Sequence, residues 1–151
     1  MRVSAKADYA LRGVLEIAAA GNPPIKRDQI ARAQQIPVKF LETILGELKH
    51  AGIVASQRGA EGGYSLARDP AEITVADVIR VIDGPLANIR DTRPESLDYQ
   101  GVAAPLKDVF VALRARMRDV LESVTLADLV AGELPEQIRS AISSPEAYEP
   151  H

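Results

Sequence analysis

Residues 27–68 read RDQIARAQQIPVKFLETILGELKHAGIVASQRGAEGGYSLAR, and the order of elements in this stretch decides the fold. Arg27 to Gln34 fits a short helix with Ile30 and Ala31 facing inward, and Gln35 and Ile36 make a tight connection after it. Pro37, tolerated in a first helical turn, opens a longer helix to His50, in which Leu41, Ile44, Leu45 and Leu48 recur at helical spacing as a buried stripe. Gly52 stands just past its end, where a left-handed cap is usual. Ile53 to Gln57 and Tyr64 to Arg68 are short extended runs separated by the turn Arg58-Gly59-Ala60-Glu61-Gly62-Gly63, the pattern of a β-hairpin. Helix, turn, helix and hairpin in that order form the winged helix-turn-helix plan.

Upstream, Ser4 is a candidate N-cap for a helix to Ala20, with Ala7, Leu11, Val14, Leu15 and Ala18 on one face, and Gly21-Asn22-Pro23-Pro24 stops it. Downstream, Thr74 with Asp77 three residues on forms a capping box opening a helix to Asp83, closed by Gly84-Pro85. Leu86 to Ala104 mixes charges without a period and reads as a loop with one turn of structure. From Pro105 to Val124, Leu106, Phe110, Leu113, Met117, Val120 and Val124 are spaced 4, 3, 4, 3, 4, a heptad seam, and Val109, Val111 and Leu121 widen its apolar face. A small domain covers only part of such a face, and the simplest cover is the same helix of a second subunit. Thr125 to Ala131 reads as a further short helix ended by Gly132.

The expected fold is therefore mainly α with a small β-hairpin wing (α+β), a winged helix-turn-helix followed by a long dimerisation helix. Its expected division is 1–84 for the winged helix-turn-helix, 85–104 for the loop, 105–142 for the dimerisation helix and C-terminal helices, and 143–151 for a flexible tail.

Composition narrows the function. The 151 residues include no cysteine and only two histidines, which excludes disulfides and thiol catalysis and leaves almost nothing for a zinc site or a histidine-dependent triad. No nucleophile, base and orienting group converge in any motif, so no enzyme is expected. No apolar run approaches a bilayer's thickness and the N-terminus lacks signal-peptide features, so the expected location is the cytoplasm. The formal net charge of −3 is unevenly spread: residues 1–70 carry ten Lys/Arg against seven Asp/Glu, and residues 71–151 carry eight against fourteen. A phosphate lattice responds to the local basic face, which marks the first half as the nucleic-acid side.

Three stretches then carry a resemblance: Met1 to Ala10 (MRVSAKADYA), Ile36 to Val54 with Phe40-Leu41-Glu42 and Ala51-Gly52-Ile53-Val54, and Arg58 to Ala67 (RGAEGGYSLA). In these the chain resembles the Rrf-two family of bacterial winged-helix transcriptional regulators, and with the long helix the likeness extends to about Leu129. The resemblance implies a sequence-specific, homodimeric DNA-binding regulator acting on a pseudo-palindromic operator, as a repressor, with activation left open. Family members that bind an iron–sulfur cluster place three cysteines in the loop before the long helix. Here that loop offers Arg90, Asp91, Arg93, Glu95, Asp98 and Tyr99 and no thiol. Clusters are held mainly by thiolates, so a cluster-free, cofactor-free regulator is expected, with an effector, small molecule or protein, left open.

On this plan Pro37, Val38, Lys39 and Phe40 lie nearest the bases of the major groove, with Glu42 and Thr43 one step on. Lys39 suits a guanine edge or a phosphate, Glu42 a cytosine amino group and Val38 a thymine methyl. Arg58 reaches for the minor groove, while Gly59, Gly62 and Gly63 let backbone amides approach phosphate. Tyr64 packs the wing, its hydroxyl free for a phosphate. Arg2, Ser4, Lys6, Lys26, Arg27 and Gln29 are expected to form a backbone-binding rail, helix N-termini being phosphate sites. Arg90 and Arg93 are candidates for an anionic effector or a partner protein. The reading from another class is a winged-helix protein-interaction module that does not read DNA sequence, supported by the acidic second half.

Overall fold

The computed structural model describes residues 3–150. Ser4 caps the first helix, α1 (Ala5–Ala20), its hydroxyl oxygen accepting from the Ala7 N–H at 3.0 Å. Helix α2 (Arg27–Gln34) and helix α3 (Val38–His50) follow. Gln35 turns the chain between them in the left-handed region (φ 52°), and the N–H groups of Gln35 and Ile36 both close onto the Ala31 carbonyl. A glycine would be the cheaper residue there; Ile36, almost fully buried, anchors the turn instead. Strands β1 (Val54–Gln57) and β2 (Gly63–Leu66) pair antiparallel, Val54 opposite Leu66 and Gln57 opposite Gly63. Helix α4 (Val75–Asp83), the long α5 (Leu106–Glu122), α6 (Leu126–Ala131) and α7 (Glu136–Ile142) complete the described helices.

One core joins α1, α2, α3, the hairpin and α4. Val14, Ile30, Leu41, Ile44, Leu45, Leu48 and Val78 are completely buried in it, and each such side chain contributes about 1.5–3 kcal/mol relative to exposure. Gly13 permits the crossing of α1 over the helix-turn-helix, since a Cβ there would lie 3.3 Å from the Leu41 side chain and 3.7 Å from that of Ile30.

The chain returns to this core after α5. Ile73–Ile79 (ITVADVI) and Val124–Val130 (VTLADLV) share one pattern, and both build capping boxes, Thr74 with Asp77 and Thr125 with Asp128. The two helix starts are stitched antiparallel: the Val75 N–H donates to the Val124 carbonyl and the Leu126 N–H to the Ile73 carbonyl, both at 2.9 Å. Leu126 is completely buried among the core residues of α1 and α3. The boundary expected at residue 84 thus does not follow the packing, because a C-terminal helix supplies part of the first body's core.

The connection from 85 to 104 holds two 3₁₀ turns, Pro94–Ser96 and Gly101–Ala103, rather than one. Pro145–Tyr148 forms another, exposed, within the segment expected as a tail. Among the described residues no helix is long and apolar enough to cross a membrane.

Candidate nucleic-acid interface

The exposed N-terminal face of α3, the wing and the start of α2 are joined by direct contacts. The Ile25 and Tyr64 backbones exchange hydrogen bonds (3.0 and 2.8 Å), which attach the root of the wing to the segment entering α2. Arg27, on the first turn of α2, forms an ion pair with Glu42 of α3 at 3.5 Å. Phe40 is 58% exposed, with its ring 6.3 Å from that of Tyr9 on α1. Val38, Lys39, Glu42 and Thr43 are exposed as well, while Leu41 between them is fully buried.

Pro37 gives α3 no side-chain cap, and Leu41 is the first residue whose N–H reaches a helical carbonyl, that of Pro37. The preceding first-turn amides stay open, which together with the helix dipole suits an anion at this end of a 13-residue helix. Thr43 turns its hydroxyl back onto the Lys39 carbonyl.

The wing's shape depends on its glycines. Gly59 sits at φ 104°, and the Gly62 N–H closes onto its carbonyl at 3.0 Å. A Cβ at Gly62 would lie 2.3 Å from the Gln57 carbonyl oxygen, and one at Gly63 would lie 2.6 Å from that of Ile25. Tyr64 is half-buried against the core, which leaves Arg58 as the exposed cation of the wing.

The structure separates the expected rail into two groups. Ser4 is engaged as a cap, and its backbone N–H and hydroxyl both donate to Asp83. Lys6 is paired with Glu47 at 2.6 Å, Arg27 is shared between Asp28 and Glu42, and the Gln29 side chain accepts from the Lys26 N–H. Arg2 lies outside the described residues. Lys26, Lys39 and Arg58, by contrast, have no ion-pair partner among the described residues. Of these, Lys26 belongs to the expected rail, and Lys39 and Arg58 to the expected groove and wing contacts; the rail's other described cations, Lys6 and Arg27, also hold the body together. The sequence offers Arg12 only an i, i+4 pair with Asp8, which forms at 3.0 Å; its guanidinium also lies 4.9 Å over the Tyr9 ring and donates to the Gln34 carbonyl. It props the aromatic pair that flanks α3.

The heptad seam expected on α5 is also divided. Leu106, Val109, Leu113 and Val120 form an exposed stripe on α5, Val109 at 58%. Phe110 and Met117, seven residues apart, are half-buried toward their own protomer, Phe110 standing 6.4 Å from Tyr99. Val124, expected as the last rung of the seam, lies beyond the end of α5 and is buried where α6 is stitched to α4. One heptad position therefore faces inward and the other outward. The helix as a whole buries no residue.

A helix-turn-helix with a glycine-built wing and free cations at its reading end defines a winged-helix DNA-binding protein. Residues 3–132 match the family model described as "Rrf2: Iron-dependent Transcriptional regulator", and the chain belongs to the Rrf2 family. It is 49% identical over 150 residues to the Mycobacterium tuberculosis protein Rv1287, whose name places it among HTH-type transcriptional regulators; the match covers 99% of this chain and 93% of that one. Its structure is similar to that of CymR, the global cysteine regulator of B. subtilis (TM-score 0.74, 33% identity, 87% of this chain and 97% of that one). It is also similar to that of T. potens IscR (TM-score 0.69, 31% identity, 100% of this chain and 93% of that one). The chain is a DNA-binding transcriptional regulator of the HTH type.

The family description names iron, and the residues present do not fit an iron–sulfur cluster. The chain has no cysteine, and thiolates are the principal ligands of such clusters. Among the described residues no group of three or more His, Asp or Glu side chains is placed to hold a metal ion.

Proposed function

We propose that the chain works as a homodimer on a two-fold symmetric operator, each protomer laying α3 in the major groove and its wing along the adjacent backbone or minor groove. The observation that carries this reading is α5: seventeen residues, four of them in an exposed aliphatic stripe, and none buried. A helix of this kind is stable when a second body covers it, and a symmetric pairing of α5 with its own copy gives two readers related by a dyad. Val38, Lys39 and Phe40 then meet base edges, Lys39 at a guanine or a phosphate. Glu42, already oriented by Arg27, accepts from a cytosine amino group, and Arg58 enters a narrow groove. Lys26 and the open amides of α3 hold phosphate. The sense proposed is repression in the cytoplasm, by occupying a promoter.

The test is light scattering together with fluorescence anisotropy on duplexes enriched by selection. The expected result is a two-chain mass and a preference for a palindromic site over random duplex of about 10³ or more. The logarithm of affinity should fall linearly with the logarithm of salt. A one-chain mass at micromolar concentration, or equal affinity for every duplex, overturns the reading.

A further inference from the structure

Four arginines from three separate parts of the chain line one cavity of about 300 Å³: Arg80 from α4, Arg93 from the connection, and Arg114 and Arg118 from α5, over a floor of Pro85 and Leu86. No acidic residue lines it. The carboxylates that hold these arginines stand outside the opening. One oxygen of Glu122 accepts from both Arg80 and Arg118, and Glu95 accepts from Arg114. Asp77, 3.9 Å from Arg80, is committed to the capping box with Thr74. Arg93 has no ion-pair partner among the described residues.

Each guanidinium carries five donors in a planar fork, and one or two carboxylate contacts leave several of them unused. Glu122, Glu95 and Asp77 offset part of the charge of the four guanidiniums, and the remainder favours a further anion at the opening. A backbone hydrogen bond and then Arg114 hold the Glu95 carboxyl below the ordinary range, and hydrogen bonds from Arg80 and Arg118 do the same for Glu122.

The geometry points to this cavity as a binding site for a small polyanion, a molecule carrying two or more phosphate or carboxylate groups. Arginine forks match both groups in bidentate geometry, the volume suits a small metabolite, and the apolar floor shields the contacts from water on one side. A ligand held by Arg80, Arg93, Arg114 and Arg118 together ties α5 to α4 through the connection. None of the residues assigned to DNA reading lines the cavity, so the site stands independently of the operator reading.

The test uses the full chain with inorganic pyrophosphate and with citrate as probes, ionic strength held constant with sodium chloride. The expected result is a saturable rise in Tm, as required when a ligand binds only the folded state, and a calorimetric Kd. Pyrophosphate acting at lower concentration assigns phosphate groups, and citrate acting at lower concentration assigns carboxylates. Arg93→Ala removes a cavity cation that holds no internal partner, so it should leave the unliganded Tm unchanged and weaken binding at least tenfold. Arg116→Ala, the same charge change on α5 outside this cavity, should bind as the parent does. The proposal is overturned if neither probe exceeds sodium chloride, if Arg93→Ala binds as tightly as the parent, or if Arg116→Ala loses as much.

Discussion

Helices α3 and α5 are both amphipathic, and they settle their apolar faces in opposite ways. Leu41, Ile44, Leu45 and Leu48 of α3 are completely buried within one protomer, whereas α5, four residues longer, buries nothing. An apolar stripe states that a face must be covered and leaves open by what. In α3 the cover comes from α1, α2 and the hairpin of the same chain, so the reading surface on its other side is held by a finished core. In α5 the inward half of the face, Phe110 and Met117, leans on its own protomer, and the outward half waits for another surface. The reader is thus complete in one chain, and the outward stripe of α5 is left uncovered among the described residues.

The largest effect that separates the two helices is on stability. Leu45→Ala in α3 removes a fully enclosed side chain and should cost about 2–5 kcal/mol in denaturant unfolding. The double charge substitution Val109→Glu with Leu113→Glu, on the open stripe of α5, should leave the protomer's far-ultraviolet spectrum intact and halve the mass seen by light scattering. Operator affinity should then fall by about two orders of magnitude or more, as expected when a dimeric reader loses one half-site. If Leu45→Ala is silent, or the double variant unfolds the protomer, the contrast between the helices is wrong.

A smaller loss is expected from the reading surface. Lys39→Ala should cost about 1–3 kcal/mol at the selected site and relax preference there if it meets a guanine; if it meets only phosphate, all duplexes weaken alike and the salt slope drops by about one. Gly62→Ala should act through shape, because its methyl group would press on the Gln57 carbonyl at 2.3 Å. The wing has to shift, and affinity should fall while Tm changes by only a few degrees. Anisotropy on matched and random duplexes measures both.

The sequence made the reader legible because its signals are local. Helical spacing marked α2 and α3, the glycines of the wing marked the hairpin, and Thr74 with Asp77 marked the start of α4. The left-handed turn at Gln35 was hidden, since no glycine stands there and the buried Ile36 holds the geometry through tertiary packing. The return of Leu126 to the core was hidden for the same reason, although the shared pattern of 73–79 and 124–130 was present to be noticed. At the candidate interface, residue type marked Lys39 and Arg58 as candidates but could not distinguish them from Lys6 and Arg27, which pair with Glu47 and Glu42. The heptad spacing of α5 gave both positions equal weight, and only the packing of Phe110, Met117 and Val124 against their own protomer divides them.

The smallest effect concerns how α5 is held to the finished body. Glu122 at its end accepts from Arg80 of α4 and from Arg118 one turn earlier, and these hydrogen bonds lower its pKa from the ordinary 4.5. A carboxyl whose folded value is depressed binds fewer protons folded than unfolded across that interval, so it favours folding above pH 4.5 and loses that contribution as pH falls through its folded value. Glu122→Gln should therefore be less stable than the parent near neutrality, by a modest amount because the site is solvated, and the two unfolding curves should converge as pH falls below 4.5. Glu95 and Asp128 are depressed in the same sense and remain in both proteins, so the difference between the curves isolates Glu122. A difference that stays constant from neutrality to acid would mean that Glu122 contributes by packing and that the tie from α5 to α4 is not electrostatic.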